Sequence, residues 1–76
     1  MQADITIDAT GLLCPLPVLK LQKAMKGLAE GAVAELIATD PAAIVDVPHF
    51  CNESGNSLVE TLEGEDHHRF FVKKRA

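Results

Sequence analysis

Residues Asp8 to Lys23 read DATGLLCPLPVLKLQK. Proline fits the first turn of a helix, where the backbone N–H groups have no helical partner, so Pro15 and Pro17 mark a helix start directly behind Cys14. From Val18 the apolar positions Val18, Leu21, Met25 and Leu28 fall on one helical face, while Lys20, Lys23 and Lys26 recur on another. Gly27 marks the end of that helix. The stretch therefore predicts a turn at Thr10-Gly11, a cysteine-bearing corner and a first helix.

Upstream, Asp4 to Asp8 holds the run ITI between two aspartates, a short strand. Downstream, Ala32 to Thr39 alternates Val33, Glu35 and Ile37 against Ala34, Leu36 and Ala38, the period of a second strand. Asp40-Pro41 opens a second helical region, with Asp40 as cap and Pro41 in the first position. Proline cannot donate to a helix interior, so Pro48 predicts two short helical pieces meeting there. Asp46 then reads as the cap of the second piece. Gly55-Asn56 ends the region, and Leu58 to Glu63 and His68 to Lys74 form a hairpin about Gly64. Periodicity leaves the facing of these last strands open, because Leu58 and Leu62 bracket Glu60 and Phe70 precedes Phe71.

The order βαβαββ predicts an α+β fold: a two-layer sandwich in which a four-stranded mixed sheet carries two helices on one face. A chain of 76 residues supports one modest core, so residues 1–76 are expected to form a single domain. Hydrophobic residues at 47% and charged residues at 24% are ordinary globular values. A net charge of −4 argues against stable nucleic-acid binding, which depends on accumulated Lys and Arg. No apolar run approaches the ~20 residues of a membrane span, and the start MQADITID lacks a signal-peptide layout. These features predict a cytoplasmic protein without membrane contact, acting as a monomer, whose two cysteines stay reduced.

Cys14 is the candidate reactive group. A thiolate at a helix N-terminus faces unpaired N–H groups and the positive end of the helix dipole, so partial ionisation is expected. Pro15 and Pro17 stiffen the corner and hold the sulfur outward. The motif contains no adjacent histidine to act as base, which disfavours hydrolase chemistry. Attack by Cys14 on sulfur bound to another thiol remains.

The segment GLLCPLPVLK, with Cys14-Pro15-Leu16-Pro17 opening the first helix and Gly11 before it, resembles the TusA/SirA-like family of small sulfur-carrier proteins, whose hallmark is a CPxP motif. Asp40-Pro41 and DVPHFC, Asp46 to Cys51, extend the resemblance through the second half of the chain. The resemblance implies a sulfurtransferase activity. Cys14 accepts sulfane sulfur as a covalent persulfide from a donor such as a cysteine desulfurase or a rhodanese-like protein, and relays it to an acceptor protein without any other cofactor. Leu16 and Val45 depart from the tRNA-thiolating members, in which an acidic and a basic residue can stand at these places.

The remaining candidates weigh differently. Lys20 and Lys23 read either as a solvated helix face or as docking points for an acidic partner. Cys51, beside Val47 and Phe50, reads as core. His49, His67 and His68 show no CxxC or HxxxH spacing with the thiols, so no metal site is expected. An alternative from another class is a non-catalytic regulatory or interaction module in which Cys14 is a redox-sensitive contact.

Overall fold

The computed structural model describes residues 3–75. Its elements follow the expected order: β1 (Ile5–Ala9), α1 (Leu16–Lys26), β2 (Val33–Ala38), α2 (Ala43–Ser54), β3 (Ser57–Glu63) and β4 (His68–Lys73). The strands form one sheet in the order β1-β2-β4-β3, with β1 and β2 parallel and the other two pairs antiparallel. The sheet is thus mixed, as the βαβ start followed by a hairpin requires.

Alternation along β2 sorts the two faces. Ala34, Leu36 and Ala38 join Ile7, Ala9, Phe70 and Val72 in a core that also contains Leu21 and Met25 of α1 and Val47 and Cys51 of α2. Both helices therefore cover the same face. On the opposite face Glu35 is buried, accepts from Thr6 Oγ1 at 3.1 Å and pairs with Arg69. The Arg69 guanidinium also lies 5.7 Å from the centre of the Phe71 ring. Phe71 is consequently buried without a helix above it.

Pro48 does not split the second helix. α2 runs unbroken from Ala43 to Ser54 with Pro48 inside it. The proline ring is exposed, while Val47 and Cys51, one turn apart, are buried against the sheet, and that burial offsets the missing backbone bond. Gly55 closes the helix in a left-handed conformation, φ 82°, with its N–H donating to the Cys51 carbonyl at 2.9 Å.

The facing of the hairpin is set by a bulge. Leu58 pairs with Val72, and the next paired residue is Glu60, opposite Phe71. Leu58 and Leu62 would share a face in a regular strand. The extra residue Val59 sends them apart: Leu58 packs on the core, and Leu62, paired with Arg69, is 43% exposed on the other side.

Candidate functional site

Because β1 and β2 run parallel, the loops leaving their C-terminal ends lie side by side. The loop after β1 is shaped first by Asp8, whose Oδ1 accepts from the Thr10 hydroxyl at 2.7 Å and the Thr10 N–H at 3.0 Å. These bonds, the hydroxyl one foremost, hold the Asp8 carboxyl below its ordinary value. Gly11 follows with φ 79°, and its N–H donates to Thr39 Oγ1 at 2.8 Å. The Cys14 N–H then donates to Asp40 Oδ2 at 2.6 Å. The other oxygen of Asp40 accepts from the Ala42 N–H at 3.1 Å. One carboxylate thus holds both the cysteine loop and the turn entering α2.

This geometry makes Gly11 a test of the loop. A Cβ there meets no atom within 4 Å, so only the left-handed backbone penalises a side chain. Gly11→Ala is expected to lower stability by roughly 1–2 kcal/mol in denaturant unfolding. An unchanged midpoint would contradict the positive φ.

Cys14 is exposed and stands at one end of a groove of about 320 Å³ between the helices, lined by Cys14, Pro15, Val18, Asp46, His49, Phe50 and Glu53. Pro15, Val18 and Phe50 make the lining largely apolar, and the charged groups come from α2 alone. His49 Nε2 lies 3.7 Å from Glu53 Oε1, one turn along the same helix. Leu13 and Val45, the chain neighbours of Cys14 and Asp46, are 70% and 71% exposed.

The position of the thiol raises its pKa instead of lowering it. The rise comes first from the Asp46 carboxylate beside it, then from desolvation, with the negative charge of Asp40 acting in the same direction. The expected lowering fails for a reason visible in the first turn. Pro15 and Pro17 have no N–H, Leu16 already donates to the Leu13 carbonyl at 2.8 Å, and the Cys14 N–H is committed to Asp40. The prolines that rigidify the corner thus remove two of the donors that could stabilise a thiolate.

Asp46 is also corrected. It does not cap a second helical piece; it sits in the first turn of the continuous α2 and faces Cys14. His49, Phe50 and Glu53 were not singled out from the sequence as neighbours of Cys14. They follow Asp46 at i+3, i+4 and i+7, one face of an unbroken helix, a signal hidden by dividing the helix at Pro48.

The lysines lie elsewhere. Lys20 Nζ donates to the Asp8 carbonyl at 2.6 Å, and Lys20 and Lys23 line a separate hollow along β1 with Thr6, Ile7, Asp8, Ala24 and Gly27. Cys51 is buried in the core, 4% exposed. Among the described residues no group of three His, Cys, Asp or Glu side chains is placed to hold a metal ion, and no helix is long and apolar enough to cross a membrane.

Burial pushes the Cys51 thiol from 9.0 up to about 11. An acid whose folded pKa is raised contributes stability that is intact below the unfolded value and lost as pH climbs through the folded one. Two pKa units correspond to a loss on the order of 3 kcal/mol. Stability is therefore expected to fall between pH 9.0 and about 11, and to fall less steeply in Cys51→Ala, which lacks the group. Parallel pH profiles of the two proteins in urea unfolding would contradict this.

Comparison with known proteins identifies the family. Residues 5–74 match the family described as Sulfurtransferase TusA. A sulfur carrier protein TusA of Pseudomonas putida is 40% identical over 73 residues, covering 96% of this chain and 91% of that protein. Its counterpart in Allochromatium vinosum is 39% identical over 71 residues, covering 93% of each. Among solved structures, a SirA-like protein of Desulfitobacterium hafniense superposes with a TM-score of 0.82 at 27% identity, covering 95% of this chain and 99% of that one. A match that takes in both helices, all four strands and the Cys14-Pro15-Leu16-Pro17 corner leaves one assignment: the chain belongs to the TusA sulfurtransferase family.

Proposed function

We propose that the chain is a sulfur carrier that takes sulfane sulfur onto Cys14 as a persulfide and relays it to an acceptor protein. The observation that carries this reading is the placement of the single exposed thiol on a rigid Pro-flanked corner, at the mouth of an apolar groove, in a chain of the TusA family.

In the loading step the Cys14 sulfur attacks the terminal sulfur of a donor persulfide. The donor S–S bond breaks, a new S–S bond forms on Cys14, and the donor leaves as a thiolate. The Cys14 proton ends on that leaving sulfur, so one persulfide and one thiol become one thiol and one persulfide with no net oxidation. The same step in reverse sense, with an acceptor thiol attacking, unloads the carrier. The covalent sulfur is the only cofactor this chemistry requires.

The donors that fit are proteins bearing a cysteine persulfide, such as a cysteine desulfurase or a rhodanese-like protein. Lys20 and Lys23 remain candidate docking points for an acidic partner surface beyond the groove. A monomer acting in the cytoplasm, where thiols stay reduced, accords with two free cysteines.

Incubation with a cysteine desulfurase and cysteine is expected to add the mass of one sulfur atom to the intact chain, removable by reductant. Absence of this adduct with desulfurase and rhodanese donors alike would count against the carrier reading.

A further inference from the structure

Asp46 stands where a carboxylate is not needed to build the helix. The turn entering α2 is already satisfied by Asp40, whose side chain accepts from the Ala42 N–H and whose carbonyl accepts from the Ala43 N–H. Asp46 is instead half-buried in the groove beside Cys14. The acidic side chains beside Cys14 there have no lysine or arginine among them. Pro15 before α1 and Val18 within it are uncharged, α2 contributes Asp46, His49, Phe50 and Glu53, and the loop before α2 contributes Asp40. The imidazole of His49 is placed against Glu53, with Nε2 3.7 Å from Oε1. No lysine or arginine lines the groove.

We propose that Asp46 is a positioning residue that distinguishes the empty carrier from the loaded one, holding the uncharged Cys14 thiol in the groove and turning the anionic persulfide out of it. This rests on the sulfur-carrier reading. The empty thiol is a neutral group that shares the groove with the Asp46 carboxylate, a position in which the protonated form is favoured. Its raised pKa accords with that position. A persulfide is a stronger acid than its parent thiol, because the second sulfur helps to spread the charge, so the loaded group is an anion near neutral pH. An anion beside Asp46 and Asp40 and against an apolar lining is disfavoured both by like charge and by desolvation. The Cys14 side chain is exposed and rotates about its Cα–Cβ bond between staggered positions, which gives the terminal sulfur a way out to solvent.

Loading itself uses the same pair. As the Cys14 sulfur bonds to the terminal sulfur of the donor persulfide, the donor S–S bond breaks and the Cys14 proton ends on the departing donor thiolate, with the Asp46 carboxylate standing beside the exchange. The new Cys14 persulfide then releases its own proton to water. The empty carrier is thereby kept poorly reactive toward stray electrophiles, and the loaded one presents its sulfur.

The test compares Asp46→Asn with the unchanged chain, empty and loaded, by peptide-resolved alkylation with iodoacetamide across pH. Loading uses inorganic polysulfide, so that no protein donor is involved. In the empty state the Asn variant is expected to titrate Cys14 at lower pH. Its rate at pH 7 should rise about threefold for each pKa unit lost, since the tenfold gain in thiolate is partly offset by weaker nucleophilicity. In the loaded state the two proteins should react at rates within a factor of about two, because the persulfide is already ionised and turned away. Glu53→Gln, at the same groove but farther along α2, is expected to move the empty-state midpoint less. An unchanged or raised midpoint in a folded Asp46→Asn chain overturns the proposal, as does an equal effect on both states. Failure of polysulfide to load Cys14 removes the loaded half of the proposal and counts against the carrier reading. Success here with failure of every protein donor counts against that reading alone.

Discussion

Replacement of Cys14 by serine is expected to abolish sulfur loading while leaving the fold intact. The hydroxyl cannot form the S–S bond on which transfer depends, and Cys51, the other thiol, is buried in the core with its pKa pushed up to about 11. The Cys14 side chain is exposed and its fixed contact with the fold runs through the backbone N–H to Asp40, which serine retains. Unfolding midpoints of the two proteins should therefore agree within about 0.5 kcal/mol, the range usual for surface changes. Sulfur uptake, followed by intact mass after exposure to a desulfurase and cysteine, should drop from one atom per chain to none. A serine variant that still loads would move the chemistry to another residue.

Phe70→Ala is the change expected to cost the fold most. Phe70 lies in β4, between β2 and β3, paired with Leu36 on one side and Thr61 on the other, and is 0% exposed. Truncating a buried phenylalanine costs about 3–5 kcal/mol, the transfer free energy plus that of the cavity left behind. At about 0.05–0.15 kcal/mol per residue, a chain of this length has a total stability of roughly 4–11 kcal/mol. The variant should thus lose a large share of its stability, read as a midpoint shift of about 3–5 kcal/mol in urea titration with circular dichroism. A loss below about 1 kcal/mol would show that the core collapses around the gap, contrary to the close packing of its neighbours.

These two substitutions separate what the chain could be read for from what it could not. β1, α1 and β2 follow directly from the residues, because each has a clear period and a punctuating turn: Gly11 before the corner, Pro15 and Pro17 at the helix start and Gly27 at its end. The hairpin was legible as two strands but not in its facing. A bulge adds one residue to β3 and reverses the alternation between Leu58 and Leu62, and nothing local announces it. The burial of three successive residues, Phe70, Phe71 and Val72, likewise breaks the two-period expectation. It arises because Arg69, held by Glu35, covers the face that lacks helices.

The site was half legible. Cys14 and its flanking prolines could be found from the motif, but its electrostatics could not, because the deciding group belongs to another element. Local reasoning assigns a helix N-terminal cysteine a lowered pKa from the dipole and its free N–H groups. Here Pro15 and Pro17 have no N–H, those of Cys14 and Leu16 are occupied, and the Asp46 carboxylate stands across the groove. Dividing α2 at Pro48 compounded the difficulty, since Asp46, His49, Phe50 and Glu53 share a face only on a continuous helix. Proline in a helix interior is costly on average, and burial of Val47 and Cys51 on either side of it decides otherwise in this chain.

A thiol whose pKa is raised is compatible with transfer to a docked partner. Docking supplies proximity, which raises the effective concentration of the two sulfurs far above that of a free encounter. Exposed apolar side chains next to the cysteine and the acidic residue, Leu13 and Val45, offer the partner a contact around the reacting atoms.

The most direct measurement is to place the transferred sulfur on the chain by mass. After loading with a desulfurase and cysteine, the protein is alkylated, digested and mapped by peptide. The extra sulfur atom should be found on the peptide containing Cys14, none on the peptide containing Cys51, and it should disappear when a thiol acceptor is added before alkylation. Extra sulfur on Cys51, or sulfur on Cys14 that no thiol removes, would contradict a carrier that works through Cys14.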